Sequence, residues 1–471
     1  MRGPGPAGAR AHRASRDAWP RCAVTECPVA RAARLRPDAP ALIWEGRAST
    51  YRDLDALVRS WHSALLASGA RRAVVRSENR PELVGLLHAA ARAGVELALL
   101  NTRLAEAELP PLLDRLGPAL RLGALPGAAA LEAFAADARP VAPTPLDPAR
   151  IHTLLFTSGT TGRPKAAQLS IGAHHANAHA SIETLRMDDG SSYLCNLPLF
   201  HVGGIATAVR CALAGATLVL HRRFDAAATA EALGSGVTHA SLVATTLQRL
   251  LEIRDRFSDT VRAVLVGGGP APMALLARAR AAGLPVLHTY GFTEAASQVT
   301  AERPGDADGA TAGWPLPGVE VRVSDGEIEV RGPTMMLGYL GEPPLSGWFR
   351  TGDLGELDDR GRLVVHARRS DLIVSGGENV YPAEVEAALL SHPQVDDCAV
   401  LPWPDEQLGQ VGCAAVVVRR PIGENELRDH CRARLAAFKV PRRFTIVDAL
   451  PRNAAGKTDR PVLLRFLQGT G

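Results

Sequence analysis

Short apolar segments alternating with Ala- and Leu-rich stretches of helical period constrain this chain more than any other feature. Residues 41–44, 73–75, 151–156, 164–169, 194–199, 217–220, 240–243, 263–266 and 286–289 read as strands. Helices lie between several of them, one opened by Thr50 with Asp53 three residues on and another by Pro81. Strands separated by helices predict layered, largely parallel α/β sheets. The stretch 123–150 is rich in Ala and Pro with weak periodicity and reads as a surface connection.

The texture then changes. Residues 319–323 and 327–331 flank Asp325-Gly326, and 354–365 repeat that pattern around Arg360-Gly361, so two hairpins predict a small β subdomain. From Asp371 onward a helix (382–390), two strands (395–401 and 413–419), a helix (424–437) and a last strand (443–447) describe a self-contained α+β domain of ordinary size. The predicted fold is therefore α/β: a large N-terminal domain, 38–369, of layered α/β sheets with a small β subdomain, and a smaller C-terminal α+β domain, 370–471. Residues 1–37 carry eight arginines without the apolar run of a secretory signal, and read as a disordered tail or a misplaced start codon.

At 471 residues with a formal charge of +4, and with basic and acidic residues interspersed, the chain has no nucleic-acid footprint. Its longest apolar run, 83–100, is broken by His88, Arg92 and Glu96, which argues against a membrane span. Seven cysteines without CxxC pairing or zinc spacing predict free buried thiols in a reducing cytoplasm. Of 53 basic side chains only Lys165, Lys439 and Lys457 are lysines. A compact ammonium fits beside phosphate or carboxylate oxygens where a planar guanidinium is too broad, which makes all three site candidates. Lys439 has no phosphate-loop setting, and an accidental survivor of the Arg bias explains it as well.

Thr157-Ser158-Gly159-Thr160-Thr161-Gly162-Arg163-Pro164-Lys165 packs four hydroxyls, two glycines and a lysine after an apolar strand. Such a loop can wrap phosphate oxygens with N–H and hydroxyl donors, although Arg163-Pro164 and the strand that follows separate it from GxxxxGK[ST]. The segment 290–294, Tyr-Gly-Phe-Thr-Glu, follows a strand end, where open α/β sheets bind ligands. There Glu294 can hold Mg²⁺ by one carboxylate oxygen and Thr293 can contact phosphate; a helix cap is the plainer alternative. Gly267-Gly268-Gly269-Pro270 would let a flat ring approach the backbone, or is simply a tight turn. Asp353 and Arg368 stand at the two ends of a hairpin, as a ribose-binding carboxylate with its guanidinium or as a surface ion pair. Lys457 tips the loop Pro451-Arg452-Asn453-Ala454-Ala455-Gly456, from which it can meet developing phosphate charge.

In this order, TSGTTGRPK, YGFTE, TGD, GGENVYP and NAAGK resemble the adenylate-forming superfamily of acyl-CoA synthetases, adenylation domains and luciferases, over residues 41–464. The resemblance implies an enzyme that consumes ATP with Mg²⁺, forms an acyl-adenylate and passes the acyl group to coenzyme A. It makes 157–165 the phosphate loop, Gly269, Pro270 and Ala271 the adenine wall, Tyr290 its stacking neighbour and Glu294 the Mg²⁺ ligand. Asp353 becomes the ribose anchor, Arg368 a ribose and phosphate contact, and Lys457 the catalytic lysine of adenylation. The C-terminal domain of that family is mobile: it rotates so that Lys457 serves the first half-reaction and the Gly376-Gly377 face serves thioester formation. Ser370 occupies the hinge, where most members have Asp or Lys.

Within that superfamily, LPLFHVGGIATA, the stretch 264–299 and RRSDLIVSGGENVYPAEVEAALLSHPQV are most similar to the 2-succinylbenzoate–CoA ligase branch of menaquinone biosynthesis. Such an acid carries a second carboxylate and a keto group, so its pocket needs polar donors. His201, Ser297 and Gln298 are placed to supply them, and Gly203 and Gly204 to let a ring lie close to the backbone. His201 can equally be a lid residue. A medium-chain fatty or aryl acid ligase, an adenylation domain that loads a carrier protein in trans, and an inactive binding relative remain alternatives, as does a homodimer.

Overall fold

The computed structural model describes residues 25–135, 141–142, 144–157, 164–269, 271–375, 378–453 and 457–469. The nine-stranded sheet of the large domain runs in the order 314–315, 297–301, 286–292, 263–266, 239–242, 192–195, 217–220, 40–44, 47–50. Its centre is parallel. Ser192–Cys195 has Thr217–Leu220 on one side and His239–Leu242 on the other, so the chain order reverses there. That is the position at which an open sheet leaves a crevice beyond its strand ends. A second, six-stranded sheet runs 338–339, 165–170, 151–157, 96–100, 72–76, 120–123.

Local chemistry explains the elements that hold these layers together. The helix Tyr51–Ser68 starts with a complete capping box: Asp53 N–H donates to Thr50 Oγ1 at 3.2 Å and Thr50 N–H to Asp53 Oδ2 at 2.9 Å. Its buried Tyr51 hydroxyl donates to the Ala216 carbonyl at 2.7 Å, which fastens it to the other layer. Trp61 stacks on Phe134 at 5.7 Å, so the helix Leu131–Phe134, within the stretch read as a bare connection, helps close the core. Residues 28–37 correct the expected tail: Pro28–Leu35 is a helix whose Pro28, Val29 and Ala32 are buried.

Both hairpins form as expected, in a four-stranded sheet that pairs Asp353 with Arg368 in register. The C-terminal domain has five strands, with Gly409–Val418 flanked by Val395–Asp405 and Arg443–Ile446. Two corrections arise there. The helix from Glu424 stops at Arg432, and a helix Arg460–Gly469 follows the last strand, burying Leu463 and Leu467. Its start was readable in Asp459-Arg460-Pro461, since Asp459 accepts from Val462 N–H at 3.0 Å. The six cysteines among the described residues are free and buried. No helix among them is long and apolar enough to cross a membrane.

Candidate functional site

Thr157 and Lys165, at the two ends of the Gly/Thr/Ser loop, are paired across antiparallel strands of the second sheet. Ser158, Gly159, Thr160, Thr161 and Gly162 lie outside the described residues, as do Pro270, Gly376 and Gly377. The short strand Gly338–Tyr339 pairs with Ala167 and Gln168, and this register sets Tyr339 beside Lys165. Lys165 Nζ lies 3.1 Å from Glu342 and 4.8 Å from the Tyr339 ring centre. The Tyr339 hydroxyl donates to Glu294 Oε1 at 2.7 Å. Burial and the Glu294 carboxylate hold the Tyr339 phenol protonated, as a donor must be. A chain of contacts thus runs from the loop lysine to the carboxylate expected to hold Mg²⁺.

Thr293 and Glu294 lie on a single 3-10 turn, Thr293–Ala295, between the antiparallel strands Val286–Phe292 and Ser297–Ala301. Gly291 is required there, since a Cβ would stand 2.0 Å from the Ser297 carbonyl. Ser297 itself has φ 124°, a backbone conformation that side chains rarely adopt. Such strain costs on the order of 1–3 kcal/mol and persists where the surroundings over-determine it.

Asp353, 8% exposed, accepts from the Tyr290 hydroxyl at 2.6 Å and pairs with Arg368 Nη1 at 3.2 Å. Part of Lys457 stays accessible to solvent, yet desolvation of its ammonium and the neighbouring Arg368 lower its pKa, with Asp353 opposing them. Lys457 therefore lies within electrostatic reach of both, brought there from the other domain. His201 caps the helix Val202–Ala214 and its ring lies 4.7 Å from that of Phe200. Burial, then Lys457 and Arg103, push the imidazole down to about 4, so it is neutral at pH 7. Tyr290, Asp353 and Arg368 are thus in direct contact, and Lys457, from the other domain, is within electrostatic reach of Arg368, Asp353 and His201.

Glycines separate by cause. A Cβ at Gly267 would meet Thr289 at 2.7 Å and Gly268 has φ 77°, whereas Gly269 borders open space and Ala271 packs on the core. Among the described glycines of this segment, Gly269 is the one with open space beside it. A Cβ at Gly204 would stand 2.3 Å from the Pro198 carbonyl, and one at Gly203 3.2 Å from Leu197 Cδ1. Packing of the helix start on its own entry loop is by itself a reason for glycine at 204.

Gln298 needs a correction. It is 5% exposed; its Oε1 accepts from Ser181 Oγ at 2.6 Å and from Arg210 Nη2 at 2.9 Å, and its Nε2 donates to Thr289 Oγ1 at 3.3 Å. Buried and bonded within the fold, it is not placed to offer a donor to a substrate. Arg210 is the residue that sequence reasoning missed. It is 1% exposed, donates also to the Tyr193 and Ser181 hydroxyls, and forms no ion pair with any described carboxylate. A buried guanidinium without a counter-ion costs several kcal/mol. Nine positions after His201 in an apolar helix, it was visible as one charge in an otherwise uncharged run. Lys439 has a structural partner, Glu384 at 2.7 Å. Ser370 lies in the 3-10 turn Arg369–Asp371 at the domain junction.

Residues 29–340 match the AMP-binding enzyme family and residues 384–457 the AMP-binding enzyme C-terminal domain. The chain belongs to the AMP-binding enzyme family. It is 38% identical to the 2-succinylbenzoate–CoA ligase of Bacillus velezensis over 95% of this chain and 99% of that protein. To the enzyme of the same name from Bacillus subtilis it is 36% identical, over 92% and 97%. The structure of o-succinylbenzoate CoA synthetase from Bacillus subtilis in complex with the acyl-adenylate intermediate superposes with a TM-score of 0.88, at 36% identity, covering 93% of this chain and 97% of that one. ATP-bound MatB from Rhodopseudomonas palustris superposes at 0.85 with 27% identity, covering 94% and 99%.

Proposed function

We propose that this chain is an ATP-dependent acid–CoA ligase that converts 2-succinylbenzoate to 2-succinylbenzoyl-CoA through an acyl-adenylate, as a cytoplasmic step of menaquinone biosynthesis. The observation that carries the chemistry is Asp353, held by Tyr290 and Arg368, with Lys457 of the other domain in electrostatic reach. A carboxylate accepts from two ribose hydroxyls, while an ammonium beside it stabilises charge that develops on the α-phosphate during in-line attack by the substrate carboxylate. Pyrophosphate leaves, and a thiol then displaces AMP from the adenylate carbonyl. No protein nucleophile is required in either step.

Glu294 fits a cation shared with nucleotide phosphates. One oxygen is oriented by Tyr339, and no cluster of three or more His, Cys, Asp or Glu among the described residues could hold a metal unaided. Bound Mg²⁺ would neutralise phosphate charge. Tyr339→Phe should raise the Mg²⁺ concentration for half-maximal pyrophosphate release about 10-fold, the usual scale for losing a partner that orients a metal ligand. Calorimetric titration of ATP at graded Mg²⁺ gives the same comparison without turnover.

The assignment of the acid rests on Arg210. A buried guanidinium bonded to Gln298, without an ion pair to any described carboxylate, favours a substrate with a second negative charge, which a fatty or simple aryl acid lacks. Arg210→Met should lower kcat/KM for 2-succinylbenzoate about 10-fold or more while changing that for benzoate far less. The deciding experiment is a side-by-side panel of 2-succinylbenzoate, benzoate and octanoate with ATP, Mg²⁺ and CoA, read by pyrophosphate release and product mass. Preference for octanoate would remove the assignment of the acid but leave the ligase chemistry.

A further inference from the structure

The loop that carries Lys457 is fastened at both feet. On its entry side Arg452 pairs with Asp397 and donates to Thr458 Oγ1 at 3.2 Å, while Asn453 N–H donates to the Lys457 carbonyl at 2.8 Å and Lys457 N–H to Asn453 Oδ1 at 3.1 Å. On its exit side, three residues after Lys457, Arg460 meets the strand Val395–Asp405 in mid-course. Arg460 Nη1 donates to the Val400 carbonyl at 2.5 Å and Nη2 to Glu386 Oε1 at 2.6 Å, and that same oxygen accepts from Val400 N–H at 2.8 Å. Arg460 and Glu386 thus satisfy both backbone groups of Val400, as a neighbouring strand would.

The remaining nitrogen of Arg460, Nε, lies 3.5 Å from Asp371 Oδ2. The other oxygen of Asp371 accepts from the Ser370 hydroxyl at 3.1 Å. Ser370 is the position expected to be the hinge, so a continuous path of side chains joins that pivot to the base of the lysine loop: Ser370, Asp371, Arg460. We infer that Asp371 and Arg460 are positioning residues that form a strut, carrying rotation at residue 370 to Lys457 as a rigid movement instead of letting the loop lag behind. This rests on the reading of Lys457 as the adenylation lysine and of residue 370 as the pivot.

Cutting the strut should cost only the half-reaction that Lys457 serves. Loss of the Asp371 charge leaves Arg460 held by Glu386 and Val400, so the domain stays folded, but the loop loses its tie to the pivot. A misplacement of about 1 Å at a reacting centre can lower a rate by up to about 10²-fold. Asp371→Asn should therefore lower kcat for pyrophosphate release about 10-fold with the KM values for ATP and acid nearly unchanged. Thioester formation from supplied acyl-adenylate and the melting temperature should stay as in the parent protein. Asp371→Glu, which keeps the carboxylate, should recover most of the lost rate. Equal losses in both half-reactions, an unchanged adenylation rate, or no recovery with Glu would each overturn the strut. Lys457→Ala measured alongside separates the two levels: if it fails to divide the half-reactions, the reading of the lysine fails; if it divides them while Asp371→Asn is neutral, only the strut does.

Discussion

Replacing Lys457 by alanine should lower adenylate formation by about 10²-fold or more, the scale for losing a preorganised charge. Thioester formation from supplied acyl-adenylate should continue at close to the parent rate. The asymmetry follows from the proposed rotation of the C-terminal domain: Lys457 stands within electrostatic reach of Arg368, Asp353 and His201, and on that reading it leaves them for the second half-reaction. The first half-reaction is read as pyrophosphate exchange and the second as CoA-ester formation from synthetic adenylate. Equal losses in both would mean that Lys457 stabilises the fold or binds a substrate common to the two steps.

The second large effect concerns stability in mild acid. His88 on the helix Pro81–Ala93, His152 on the strand Ile151–Thr157, and His174 and His175 on the helix Ile171–Leu185 are buried together. The rings of His152 and His174 meet edge to face at 5.3 Å. Around them stand Arg92, ion-paired with Asp55, and His62, His179 and Arg31. Burial pushes His88 and His175 down to about 3 and His152 to about 4, and lowers His174 in the same direction.

All four are neutral in the folded protein, whereas each titrates near 6.5 in an unfolded chain. The unfolded chain therefore binds more protons below pH 6.5, and stability falls as the pH drops from there toward the folded values. Each proton is worth about 1.4 kcal/mol per pH unit, so four together remove about 5 kcal/mol one unit below 6.5, a large part of an ordinary domain's stability. The urea midpoint should drop steeply between pH 7 and pH 5.5. His88→Leu should flatten that slope by about one proton. A midpoint that stays level across the range would mean that these imidazoles are hydrated or charged in the fold.

Much of the architecture was legible because it depends on local pattern. The Thr50/Asp53 capping box, the two hairpins around Asp325-Gly326 and Arg360-Gly361, and the apolar strands at 151–157 and 263–266 each carry their signal within a few residues. Where the reading failed, packing overrode a weak local signal. The helix Pro28–Leu35 looks like part of an Arg-rich tail until its Val29 and Ala32 find a core to cover, and Arg460–Gly469 exists because Leu463 and Leu467 do. Gly204 has a packing reason that the sequence did not show: its neighbour is the Pro198 carbonyl.

The site divides in the same way. Sequence alone supplied the side chains proposed for phosphate, ribose and metal, because their types and order point to that chemistry: Lys165, Glu294, Asp353, Arg368 and Lys457. Only the tertiary structure decided whom they face. Sheet register, set over more than 160 residues, puts Tyr339 beside both Lys165 and Glu294; the fold of two layers buries Arg210 against Gln298 without an ion pair to any described carboxylate; and the docking of one domain on another brings Lys457 within electrostatic reach of Arg368 and Asp353. Local propensity acts through nearest neighbours along the chain, while these contacts join residues far apart in it, so their identity is settled only when the layers close on one another.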